Sequence, residues 1–198
     1  MPTVTKETFG TRISLAALKP ELMVAIAITA AANYPVISQG CLLGQITATG
    51  KYRRRTRAIV GTGGVLTSSP SFNVADASVF IPGDVLTDDS GNSVGTIASN
   101  GVNTSVTPNT ITLTANSAHA VAAAAAVIGS DGSQVAVGFA DFWAGIEDTG
   151  TLVSVDTNMP LVIGGYLNQA VLTGLDSTAI AQLAGISLAN LGPGIFKF

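Results

Sequence analysis

The chain has 198 residues, 47% of them hydrophobic but only 6% aromatic and 11% charged, with a formal net charge of −3, one Cys and one His. A single cysteine excludes an intrachain disulfide, and with a single histidine it excludes a Cys/His zinc cage built by one chain. The longest apolar runs, 22–32 and 120–128, fall short of the roughly 20 residues that a helix needs to cross a bilayer. High hydropathy without a membrane segment therefore points to surfaces covered by partner chains, and no membrane partner is expected.

Residues 1–21 carry scattered hydrophobes, Phe9, Ile13, Leu15 and Leu18, without a sustained period, and read as an extended N-terminal arm. Such an arm can order by adding a strand to a partner's sheet edge. Residues 1–10 are polar and the first apolar run follows Lys19-Pro20-Glu21, which is unlike a secretory signal, so assembly in the cytoplasm is expected. The β-branched stretch 23–29 predicts a buried strand. Asn33-Tyr34-Pro35 and Gly40 mark a turn before 41–52, which has strand composition with glycines at its bends.

Charge is uneven. Residues 1–57 hold eight of the nine basic residues and two acids, net +6, against −9 for the remainder. Five of the positives, Lys51, Arg53, Arg54, Arg55 and Arg57, form one cluster that offers an electrostatic contact. An acidic remainder repels a polyanion, so a strand end or a seat for an acidic partner outweighs nucleic acid, which is not expected as a partner.

Residues 58–75 are rich in Gly, Ser and Thr and mark a boundary by composition. Strands are predicted over 79–81, 85–87, 94–98 and 110–114, separated by turns at 82–84 and 88–92. The seven alanines of 118–126 read as one short helix before a strand at 127–129. After a turn at 130–133, strands are predicted over 135–139, 151–155 and 161–167. Asp176-Ser177-Thr178 caps a helix over 179–184 that stops at Gly185.

No nucleophile elbow or Walker loop is present, and Gly61-Thr62-Gly63-Gly64 lacks the spacing of a phosphate cradle. His119 has no acid beside it in sequence, Cys41 sits among leucines as a buried thiol would, and Asp88-Asp89 and Glu147-Asp148 read as solvated turn carboxylates. Phe139, Phe142 and Trp143 read as core or subunit interface. No catalytic, metal or cofactor residue is assigned, and an enzyme, which would have to act through His119 or Asp84, is not expected.

Two blocks carry a resemblance. Gly40-Cys41-Leu42-Leu43-Gly44-Gln45-Ile46-Thr47-Ala48-Thr49-Gly50-Lys51-Tyr52 resembles the opening strand pair of the bacteriophage lambda-type head decoration, or capsid cement, proteins. Asp131-Gly132-Ser133, Val135-Ala136-Val137-Gly138 and 161–168, followed by a small helix and Gly185-Ile186, resemble that family's C-terminal half. The resemblance implies a mainly β (α+β) subunit with one or two short helices and a small tulip-like β-barrel core. Its segments would be 22–57 and 131–198, with 1–21 as the arm and 58–130, which the family pattern lacks, as an inserted β module. It further implies a homotrimer on the outer surface of the virion that binds the major capsid protein and stabilises the expanded head, with the arm docking on the capsid. Leu152, Val153, Leu161, Ile163, Ile180 and Leu183 are expected to pack the core or trimer seam. The alternative is another virion component, a head fibre, tail or host-surface-binding protein.

Overall fold

The computed structural model describes residues 24–141, 155–169, 172–183 and 186–189. Of the expectations above, those on Phe9, Ile13, Leu15, Leu18, Phe142, Trp143, Glu147, Asp148, Leu152 and Val153 lie outside these residues. The described chain is mainly β, with twelve strands and one short helix.

The first sheet contains β1 (Val24–Ala30), β2 (Leu42–Gln45), β3 (Tyr52–Arg54), β10 (Gly138–Ala140), β11 (Thr157–Asn168) and β12 (Ile186–Ala189). Its order is β1-β3-β2-β10-β11-β12, and β11 also pairs with β1, so the sheet curls into a half-barrel. Period-two alternation sends one side of each strand inward. Ile28, Ala30, Leu43, Met159 and Leu161 fill the interior together with Ile37 and Cys41, and Ile163 packs against them partly buried. Val162, Phe139 and Leu42 face the other way, where Ala179 and Leu183 of α1 (Ser177–Gln182) and its flank cover them. The helix begins where its cap was expected, with the Asp176 carboxylate accepting from the Ala179 amide at 2.7 Å.

The second sheet contains β4 (Arg57–Ile59), β5 (Ser71–Val74), β6 (Val85–Asp88), β7 (Ser93–Asn103), β8 (Asn109–Leu113) and β9 (Ala126–Gly129), in the order β4-β9-β6-β7-β8-β5. The Val60–Val74 bridge, with the Gly61 amide donating to Asn73 at 2.7 Å, joins its two edges around a separate core of Phe72, Leu86, Ile97, Ile111 and Val127. The chain passes between the sheets twice, at Arg55-Thr56 and over 130–137. Each crossing is locked to the other: Thr56 accepts from the Gly129 amide at 3.0 Å, and its hydroxyl lies 2.8 Å from that of Ser133.

Two expectations are corrected. The alanines of 118–126 form no helix. Val121 bridges Val65 in the antiparallel sense, Ala124 takes a φ of 65°, and β9 begins at Ala126, so sheet closure overrides a weak intrinsic preference. Residues 79–81 are turn and coil, because Ile81 enters the turn closed by Asp84. Ile180 is 48% exposed in this chain, while Ala179 and Leu183 take the buried side of α1.

Candidate functional site

The residues of the basic cluster are paired with acids of the same chain. Alternation in β3 sends Arg53 to the face opposite Tyr52 and Arg54, into the junction between the two sheets. There it is fully buried. Its Nη1 donates to Asp84 Oδ1 at 2.9 Å and Asp131 Oδ2 at 3.1 Å, its Nη2 to Asp84 Oδ2 at 2.8 Å and the Val79 carbonyl at 3.1 Å, and its Cζ lies 4.2 Å from the Tyr34 ring centroid. Burial pulls the guanidinium pKa down, but the hydrogen bonds and charges of Asp84 and Asp131 outweigh it and the net shift is upward.

The neighbouring cations are paired in the same way. Arg54 donates to Ser78 Oγ at 2.8 Å and Asp76 at 3.2 Å. Arg55, itself buried, meets Asp176 at 3.0 Å and the Gln134 carbonyl at 2.9 Å. Arg57 forks onto Asp89 and reaches Asp176 at 2.8 Å, and Lys51 pairs with Asp156. Two of these links tie the sheets together through Arg53–Asp84 and Arg57–Asp176, so the opposite charges of the two sequence regions neutralise each other at an internal junction.

Asp176 is the hub, serving α1 as cap and two arginines as counter-ion. Burial raises its pKa, but the Ala179 amide, Arg55 and Arg57 together hold it below the usual carboxylate range. A depressed folded-state pKa contributes stability that is present above the unfolded value of about 3.9 and lost as pH falls through the folded one. The expected result is an unfolding free energy that is level from pH 7 to 5 and drops below about pH 4, followed by urea titration at each pH. Asp176→Asn, which keeps a good cap, should lower stability at pH 7 and flatten the acid decline; an unaltered acid slope would count against the hub.

The other candidates resolve into structure. Asp88 accepts from the Ser90 and Asn92 amides at 2.9 and 2.8 Å, closing its turn, and His119 Nε2 lies 3.3 Å from it, an acid that sequence proximity did not reveal. Cys41 is buried and its thiol pKa is raised by burial. Phe139 is fully buried. Among the described residues no cluster of three or more His, Cys, Asp or Glu could hold a metal ion, and no helix is long and apolar enough to cross a membrane.

Apolar surface is the remaining feature. The inward face of β1 runs from Ala30 and Ile28, both buried, to Ile26 at 41% and Val24 at 54% exposure, so the strand's apolar face outruns the core it belongs to. No protein-family model, curated protein or solved structure matches the chain.

Proposed function

We propose that this chain is a structural virion protein that binds the outer surface of a phage head as a homotrimer, contacts the major capsid protein and stabilises the expanded shell. The observation that supports this reading is the pairing of the two sequence blocks that resemble decoration proteins. Residues 40–52 supply β2 and the first residue of β3, Tyr52, and residues 131–168 supply β10 and β11. Although the whole second sheet lies between them in sequence, Leu42 faces Phe139 and Leu43 faces Gly138 across β2 and β10. A cement subunit works by many weak contacts multiplied over a lattice, so it needs apolar seams and a strand-donating arm more than a reactive centre. The exposed apolar half of β1 suits such a seam, and the arm carrying Phe9, Ile13, Leu15 and Leu18 would dock on the capsid.

The test is co-sedimentation of the full chain with undecorated, expanded heads of the phage that carries its gene, with light scattering to give the mass of the free protein. Saturable binding near one copy per capsid subunit is expected. A folded protein that leaves such heads bare at micromolar concentration overturns the reading.

A further inference from the structure

The two sheets meet at a junction made of charge. The described members of the core around Leu86 and Ile111 all lie between Ala58 and Val127, and those of the two cores on the first sheet all lie outside that range. Each sheet therefore has apolar burial of its own. The side chains that bridge them are charged. Arg53 and Arg54 of β3 grip Asp84 and Asp76, which precede β6 in the second unit, while Arg57 of β4 reaches back to Asp176 at the cap of α1. Thr56, tied to Ser133 where the two crossings meet, lies between these arginines in the chain.

Protons control the balance of this junction. Arg53, Arg54, Arg55 and Arg57, crowded into one short stretch, are held against Asp76, Asp84, Asp89, Asp131 and Asp176. Protonating the carboxylates leaves the four cations facing one another. Arg53, which is fully buried, then loses the charges that offset its removal from water. Its Nε already lacks a hydrogen-bond partner among the described residues, so water entering an opened junction would satisfy it. The other titratable groups nearby do not oppose the change. Tyr34 over Arg53 and Cys41 beside Arg54 carry no charge in acid, and His119, next to Asp88, gains a positive one. Lys51 and Asp156 form a pair on the first sheet that is exposed to solvent. The apolar burial that holds each core is untouched by the same protons.

We propose that the junction is an acid-operated latch: protonation of its carboxylates frees the second sheet to pivot about Thr56 and Ser133 while both sheets stay folded. The pivot is made of neutral groups, the Thr56 and Ser133 hydroxyls 2.8 Å apart and the Gly129 amide donating to the Thr56 carbonyl at 3.0 Å, so it survives the change that releases the arginines. The closed form is favoured above the carboxylate range and is lost as pH falls through it. The inference does not rest on head binding, and a folded chain that ignores phage heads would leave it intact.

The distance between the sheets tests it in the full chain with Cys41→Ala, which removes the native thiol. Spin labels go on Ser68→Cys in the second unit and Ala181→Cys in α1, both exposed positions. Pulsed electron resonance should give one narrow distance at pH 7 and a broad distribution at about pH 3, below the ordinary aspartate range. The far-ultraviolet circular dichroism of the folded chain should persist, and neutralising should restore the narrow distance. A distance that stays narrow until the circular dichroism is lost, or broadens only together with it, overturns the proposal, because the sheets would then be one cooperative unit. Asp84→Asn with Asp176→Asn imitates the protonated junction and should lose the narrow distance at pH 7, whereas Asp156→Asn, at the exposed pair, should keep it. A double variant that keeps the narrow distance overturns the latch. One that loses native circular dichroism does so too, since the cores would then depend on the junction.

Discussion

An Arg53→Ala chain is expected to lose about 3–5 kcal/mol of unfolding free energy, the range found when one partner of a buried ion pair is removed. The substitution strands Asp84, whose side chain is 11% exposed, takes a hydrogen bond from the Val79 carbonyl and removes a stacked group from Tyr34. Solvent decides the scale. Lys51 and Asp156 form an ion pair on the same cluster, but their side chains are 38% and 41% exposed, and such pairs contribute roughly 0–1 kcal/mol. Lys51→Ala is therefore the matched control. Arg53→Lys should rescue only in part, because an ammonium cannot fork onto both Asp84 oxygens while reaching Asp131. Urea unfolding of the three variants checks this; an Arg53→Ala loss as small as that of Lys51→Ala would mean that the junction is open to water.

Gly44→Ala is expected to destabilise the chain by about 3 kcal/mol or more, at or beyond the upper end of overpacking effects. A Cβ at this position would lie 1.8 Å from the Ser133 carbonyl oxygen and 2.4 Å from its carbon, and both are backbone atoms that cannot rotate away. Gly44 is not at a positive φ, so the glycine is required by space and not by conformation. Gly83→Ala provides the opposite case: φ is +89° and nothing lies within 4 Å, leaving only left-handed strain of about 1–2 kcal/mol. Because Ser133 also holds Thr56, pushing β2 away from it would loosen both crossings between the sheets. Soluble yield and urea midpoints of the two variants give the comparison; a Gly44→Ala chain as stable as the parent would refute the close approach.

Local signals were legible where local physics governs. The turn of Pro82-Gly83-Asp84, the alternation of Thr110-Ile111-Thr112-Leu113 and the Asp176 cap needed only neighbouring residues to be read, and each stands where the pattern placed it. The alanine run failed because helix propensity is worth tenths of a kcal/mol per residue, less than the Val65–Val121 bridge and the strand pairing of Ala126 that compete with it. The side that α1 turns to the core was not legible either. A six-residue helix shows which residues share a side, but not which side meets the wall formed by Phe139 and Val162.

By itself the sequence determined the mainly β class, most strand positions, the helix cap and the separation of opposite charges into two regions of the chain. Only the tertiary structure decided what that separation is for. Attraction between charges depends on distance and on exclusion of water, and neither can be read along the chain: Arg53 and Asp84 are 31 positions apart, Arg57 and Asp176 are 119 apart, and both pairs meet at one junction. The exposure of β1 likewise follows from which strands meet. Its apolar sequence announced burial, yet Ile28 and Ala30 are buried while Val24 and Ile26 on the same strand stay exposed.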